Sequence, residues 1–207
     1  MKKAPISVRI IHVLSVIVFW ILVVITAASF VFNILLQTNA IGGDFQLRIA
    51  LPVTFEVEEV GKAQLFDTIN DVRIEEATGQ LHIVNTPVRF SKIVLRILFA
   101  VVAIVLFMTW KFKMFITNIK DGLIFDASNI NNLKHIAYGI LILWLLTKVY
   151  MEVFYHTFVK FVEFHSVTLA NDVTNENNMI VIALLLWVLA HIFMKGVEMK
   201  KEQDLTV

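Results

Sequence analysis

Four long apolar stretches restrict this chain to a membrane-spanning fold. The first, residues 13–36, contains no charged residue. At about 1.5 Å per residue, a helix of that length crosses a hydrocarbon core of roughly 30 Å. Three more spans are predicted over residues 93–110, 136–162 and 179–195. The fold class that we predict is a membrane all-α bundle of four transmembrane helices.

The composition agrees with a membrane protein and argues against several functional classes. Hydrophobic residues make up 58% of the chain and charged residues 17%, against roughly 45–50% and about 25% in soluble domains. The net charge is only +1, so we expect no direct contact with nucleic acid. The absence of cysteine excludes disulfides and thiol catalysis. Since no catalytic motif stands out, we expect a non-enzymatic protein without catalytic residues, metal or cofactor.

The charges of the connecting segments predict the orientation of the helices. The segment before the first span is basic, and residues 111–135 carry four Lys against two Asp. Residues 37–92 carry eight acidic and five basic residues, and residues 163–178 carry three acidic residues and no Lys or Arg. Basic segments favour the cytoplasmic side, which places both termini in the cytoplasm. The first apolar run exceeds the roughly 7–15 residues of a signal peptide, so we expect an uncleaved anchor.

The segment between the first two spans has the pattern of a small β insert. Gly42-Gly43 is expected to mark the exit from the first helix. Apolar residues alternate over residues 45–57, which predicts a strand that is either an edge or broken at Pro52. Val72–Ile74 and Leu81–Ile83 predict a hairpin around the residues between them. The element is expected on the extracytoplasmic face, as a structural cap or as a sensing surface.

The third span contains an intramembrane polar face. Lys148, Glu152, His156 and Lys160 recur every four residues, which places them along one side of a helix. Charges within a span suggest a proton or ion path or a polar ligand pocket. The alternative is that this overlong span carries them at the outer interface, where Lys148 extends towards water.

The segment of residues 111–135 has the features of a turn between two helices. Gly122 is expected to break the chain, and Asp126 or Ser128 is expected to cap the following helix. Ile130 and Leu133 predict a short amphipathic helix that leads into the third span. This segment is either a structural turn on the membrane surface or a docking face for a cytoplasmic partner.

This loop and the C-terminal segment resemble a known family. The loop carries Gly-x-x-Phe at residues 122–125, and the chain closes with Glu-Gln-Asp-Leu-Thr-Val at residues 202–207. Together they resemble the bacterial membrane family catalogued as domain of unknown function 2975. Asn131 and Asn132 stand where that family tends to carry Arg. The resemblance implies a bacterial inner-membrane location.

The resemblance also implies a class of partner. Genes of that family often lie beside a small helix-turn-helix regulator, which implies a membrane protein that holds or releases such a regulator. The implied docking residues lie in the loop and the tail: Lys120, Phe125, Asp126, Asn129, Asn132, Lys134, Glu198, Lys201, Glu202 and Asp204.

Two functional hypotheses follow. The first is a regulatory or accessory subunit that binds a protein partner, and the second is a small transport or channel-like protein, acting as a homo-oligomer, that uses the polar face of the third helix. The predicted domains are 1–36 (N-terminus and first helix), 37–92 (β insert), 93–110 (second helix), 111–135 (cytoplasmic loop), 136–162 (third helix), 163–178 (outer loop), 179–195 (fourth helix) and 196–207 (cytoplasmic tail).

Overall fold

The structure, a computed structural model, describes residues 5–41, 47–65, 68–157, 162, 168–169 and 177–205. The chain divides into two compact units. The first unit comprises Met1–Phe45, Arg89–Leu146 and Asn177–Val207, and the second unit comprises Gln46–Val88 and Thr147–Glu176. In chain order, the helices and strands are α1 (Ile6–Gln37), β1 (Ile49–Leu65), β2 (Thr68–Ile83), α2 (Val88–Lys120), α3 (Ala127–Thr157), β3 (Thr168–Leu169) and α4 (Asn178–Leu205).

The four helices agree with the prediction of four membrane spans. Each is long and apolar enough to cross a membrane. Their apolar side chains are largely exposed, with Trp20 60% and Leu185 64% accessible, as expected for surfaces that face lipid. The helices are longer than the predicted spans: α2 has 33 residues, which is about 50 Å, or well beyond a hydrocarbon core of roughly 30 Å.

The helices of the first unit run alternately up and down. Lys113 of α2 lies 4.2 Å from the ring centroid of Phe19 in α1, and Asn33 near the other end of α1 donates to the Leu95 carbonyl at 3.1 Å. These contacts make α1 and α2 antiparallel. The core cluster lies near the α2–α3 turn and joins three helices through Phe115, Ile116, Ile130, Leu133 and Ala190. The first turn of α1, the α2–α3 turn and the last turns of α4 therefore lie at one end of this unit.

Helix α1 ends at Gln37, one residue beyond the predicted span and before the glycine pair. Asn39 adopts a positive φ of 57°, and its N–H donates to the Leu36 carbonyl at 3.3 Å. The Ala40 N–H donates to the Leu35 carbonyl at 3.0 Å. This pair of bonds is a Schellman motif with Asn in the left-handed position. The prediction that the exit lies at Gly42-Gly43 is therefore wrong, since the cap at Asn39 already ends the helix.

The second unit contains a long antiparallel hairpin. Strand β1 pairs with β2 from Ile49–Ile83 to Leu65–Thr68, and β3 pairs with β1 through Phe55–Leu169, which gives the order β2-β1-β3. The alternating pattern predicted a strand correctly over its described part. Pro52 does not break the strand: it lies in register opposite Gln80, and the pairing continues on both sides of it.

The hairpin predicted around residues 75–80 is wrong. Those residues lie within β2, and the strands meet instead at the pair Leu65–Thr68. The apolar residues of β1 are matched by Leu81 and Ile83 on the facing strand, so the pairing requires an extended chain here. Gly79 accommodates an aromatic ring rather than a turn, since a Cβ placed on it would lie 2.7 Å from Cε2 of Phe55.

A bulge interrupts the register between Glu56 and Glu59. Two residues of β1 here oppose one residue of β2, so the side-chain alternation changes faces beyond this point. Past the bulge, Val60 is 67% and Ile69 69% exposed. Among the described side chains, Ile49 before the bulge is therefore buried, whereas Val60 and Ile69 beyond it are exposed.

Candidate docking surface at the α2–α3 turn and α4

Gly122 ends α2 in the way the sequence predicted. Its φ is +84°, its N–H donates to the Ile119 carbonyl at 3.1 Å, and the Leu123 N–H donates to the Asn118 carbonyl at 2.9 Å. These two bonds form a Schellman motif with glycine in the left-handed position. The connection between α2 and α3 is thereby reduced to residues 121–126, so most of the predicted loop is helical.

Asp126 caps α3, which agrees with one of the two predicted caps, Asp126 or Ser128. Its carboxylate accepts the Ser128 N–H at 2.8 Å, and α3 begins at the next residue, Ala127. Hydrogen bonds from the Ser128 hydroxyl and then from the Ser128 N–H lower the pKa of Asp126, and the Lys200 ammonium adds a smaller lowering. A negative charge at this position also suits the partial positive charge of the helix N-terminus.

Asn129 connects the two helices and the turn between them. Its side chain is fully buried. The amide oxygen accepts a hydrogen bond from Asn118 Nδ2 at 2.8 Å. The amide nitrogen donates to the carbonyls of Leu123 at 2.6 Å and Ile124 at 2.9 Å. One side chain therefore satisfies polar groups on α2 and on the turn, which fixes the shape of the connection.

Phe125 anchors the turn on α4. Its ring lies 6.0 Å from the ring of Phe193, centroid to centroid. Phe193 in turn lies 5.7 Å from Phe115 of the core cluster. The Phe125 ring also lies so close to Gly196 that a Cβ at that position would collide with it. The lack of a side chain at Gly196 thus allows the turn to pack directly on the backbone of α4.

The tail expected after residue 195 is a continuation of α4. The helix extends to Leu205, and Val197 still packs against the core cluster. Lys195 Nζ lies 2.7 Å from Glu198 Oε2, an i,i+3 ion pair that adds a small stabilisation to an exposed helix. We name the exposed residues on one side of this extension, namely Glu198, Lys201 and Glu202, the outer stripe.

The structure divides the predicted docking residues into two groups. Asn129 and Asn132 are buried, at 0% and 4% exposed, so their side chains face the protein. Asn132 Nδ2 has no hydrogen-bond partner among the described residues. The others lie on the surface or at its margin, with Asp204 placed on α4 by its backbone alone: Lys120, Phe125, Asp126, Lys134, Glu198, Lys201, Glu202 and Asp204. A docking role for any of them stays a prediction.

Sequence analysis missed a groove between Phe125 and α4. Its volume is about 620 Å³. Its apolar lining is Phe125, Val188, Ile192, Gly196 and Met199, and its polar lining is His191, Lys195, Lys200 and Gln203. The i,i+4 spacing of Lys195, Met199 and Gln203 is typical of one helical face. Residues 196–207 are predicted from the sequence to be a tail, however, and a tail has no such face. We call this feature the α4 groove.

The structure describes the polar face of the third helix in part. Glu152 and His156 lie 3.1 Å apart, Oε1 to Nε2, in the last turns of α3, and each side chain is 60% exposed. Lys148 lies on the same helix, whereas Lys160 lies outside the described residues. In the part of the chain that is described, no group of three potential metal ligands is present.

Comparison with known proteins gives one match. The model of the family described as "Protein of unknown function (DUF2975)" matches residues 61–207. The match contains β2, α2, α3 and α4 and thus the whole docking surface, whereas α1 and the start of β1 precede it. No curated protein and no solved structure matches the chain. Because the family model covers more than half of the chain, the protein belongs to this family of unknown function.

Proposed function

We propose that this chain is a non-enzymatic integral protein of the bacterial inner membrane that regulates or assists a protein partner. The partner docks on the cytoplasmic end of the helices, at the α2–α3 turn and the extension of α4. The partner class implied by the resemblance to the family is a small helix-turn-helix regulator. The membrane protein would hold that regulator or release it.

The helical extension of α4 is the observation that supports this proposal most strongly. A membrane anchor does not require several turns of helix beyond its apolar span. Here α4 continues to Leu205, and the turn packs on it through Phe125 and Gly196. Docking on such a surface costs less ordering entropy than docking on a flexible tail.

The outer stripe is the part of this surface best suited to a protein partner. Glu198, Lys201 and Glu202 are exposed, and their spacing makes them neighbours on the helix surface. None of them lines the α4 groove. With two carboxylates and one ammonium group, the stripe offers charge-assisted hydrogen bonds to a polar or basic partner surface. The exposed Glu152–His156 pair gives weaker support to a transport function.

The test is a pull-down of tagged protein from native membranes in mild detergent, followed by mass spectrometry. The wild-type chain is expected to recover a stoichiometric small DNA-binding protein. The double variant Glu198→Lys/Glu202→Lys is expected to lose most of it, because two attractive contacts become repulsive.

The matched control reverses an exposed carboxylate in the other unit, Glu56→Lys, and should recover the partner as well as wild type does. Equal recovery with both variants would contradict docking on the outer stripe. Recovery of the protein alone, or only as an oligomer of itself, from wild-type membranes would contradict the proposed function.

A further inference from the structure

The α4 groove combines an apolar stretch with two lysines. Val188 is 58% and Ile192 59% exposed, and both lie within the predicted fourth span. Lys195, at the end of that span, and Lys200, beyond it, also line the groove. The distance along the helix axis from Val188 to Lys200 is roughly 18 Å. This length spans the boundary between the hydrocarbon core and the headgroup region of a bilayer.

The polar lining of the groove is basic. Its cations are Lys195 and Lys200, and no carboxylate is among the lining residues in the described part of the chain. His191 Nδ1 lies 3.0 Å from the Trp187 carbonyl, which can only accept, so this nitrogen is the N–H donor. A negatively charged ligand therefore meets complementary charge in the groove.

Both lysines have acidic neighbours outside the groove. Lys195 is paired with Glu198 at 2.7 Å, and Lys200 acts electrostatically on Asp126. The Lys195 side chain is 74% exposed, and exposed pairs of this kind contribute little free energy. An ammonium group has three donors, so each lysine keeps donors for a phosphate that enters the groove.

We propose that the α4 groove binds an anionic phospholipid, with the phosphate between Lys195 and Lys200 and the start of an acyl chain along Val188 and Ile192. Val188 and Ile192 lie within the predicted span, whereas Lys195 and Lys200 lie at its end and beyond it. This is the order of the acyl chain and the phosphate in a lipid. A water-soluble phosphate would leave the apolar end uncovered. A protein segment would have to place backbone polar groups at membrane depth.

The test uses native mass spectrometry of the full chain in detergent with added phosphatidylglycerol or phosphatidylcholine. Wild type is expected to retain one phosphatidylglycerol at concentrations at which phosphatidylcholine is lost. The variant Lys195→Gln/Lys200→Gln is expected to weaken phosphatidylglycerol retention by roughly fivefold or more per lysine. Lys195→Arg/Lys200→Arg is expected to restore it, since both charges return.

The matched control is Lys111→Gln/Lys113→Gln. It removes the same charge from the same end of the helices, but these lysines contact Trp110 and Phe19 and not the groove. The control should retain the lipid as wild type does. An equal loss in both double variants would overturn the groove, and so would displacement of the lipid by millimolar glycerophosphate. The pull-down measures recovery of a partner protein and native mass spectrometry measures retained lipid, so either proposal can fail without the other.

Discussion

Replacing Asn129 by alanine is the most direct test of how the α2–α3 turn is held. The side chain is fully buried and makes three hydrogen bonds, to Asn118 Nδ2 and to the carbonyls of Leu123 and Ile124. Alanine makes none of these bonds. The substitution also leaves a small cavity where the amide was.

The expected cost follows from the surroundings of the three partners. A hydrogen bond contributes about 0.5–1.5 kcal/mol net, and a buried group left without a partner costs about 1–3 kcal/mol. Leu123 and Ile124 are exposed residues of the turn. We therefore expect water to replace the lost bonds to their carbonyls, which keeps the cost of each near the lower value. We expect a total loss of about 2–4 kcal/mol in the free energy of unfolding.

The assay is thermal unfolding in detergent, followed by circular dichroism. For a chain of this size, each kcal/mol lowers Tm by about 2–4 °C, so the loss of about 2–4 kcal/mol in Asn129→Ala is expected to lower Tm by about 4–16 °C. The control is Asn131→Ala, which removes the same side chain two residues away from an exposed position and should change Tm by no more than about 2 °C. Equal Tm values for the two variants would refute the role assigned to Asn129.

Three further predictions concern the turn and the hairpin. Gly196→Ala should lower Tm because the added methyl group meets the Phe125 ring. In a Phe125→Ala background the same substitution should raise Tm, since only the better helix propensity of alanine remains. A change of the same sign in both backgrounds would contradict the contact. The pKa of Asp126 is lowered by folding, so the stability that it adds is present above its unfolded pKa of about 3.9 and is lost as pH falls through the folded pKa. Asp126→Ala should therefore lower Tm at pH 7, and in a pH series of melting curves this difference should shrink progressively as the pH falls below about 4. A difference that stays constant at lower pH would argue against the cap. Gly79→Val should destabilise the second unit, because its Cβ lies within contact distance of Phe55; unchanged hydrogen-exchange protection of β1 would contradict this.

The helices could be predicted from the sequence because the apolar length of a span is a local property. Their ends could not, since they depend on caps and on packing. Asn39 ends α1 before the glycine pair, and the charged residues after Lys195 remain helical because Val197 continues the core contact. The charges after Lys195 predict a tail when they are considered alone, whereas the packing of Val197 explains why the helix continues.

The candidate site was predicted only in outline. The turn, its glycine and its cap at Asp126 follow from local chemistry, and the structure places them as expected. The resemblance implies a docking role for Asn129 and Asn132, yet both are buried. Asn129 bonds backbone carbonyls of the turn, a use to which the side chain of an asparagine is well suited. The α4 groove depends on Phe125 meeting Gly196, a contact between distant residues that no local pattern predicts.

The hairpin shows the same limit in the second unit. Glycine near the middle of residues 75–80 is a good turn signal taken alone. In the structure Gly79 lies within a strand instead, because the Phe55 ring on the facing strand occupies the space that a side chain at this position would need. Such a requirement arises from the register of two strands and cannot be read from either strand by itself.

The docking account requires that the α2–α3 turn and the extension of α4 face the cytoplasm. The chain contains no cysteine, so single cysteines can be introduced on a silent background at exposed Ser128, Gln203 and Glu56. Labelling of intact cells with a membrane-impermeant maleimide tests their positions directly. The account predicts that Glu56→Cys is labelled in intact cells, and that Ser128→Cys and Gln203→Cys are labelled only after the membrane is opened. Labelling of Ser128→Cys or Gln203→Cys in intact cells would contradict it.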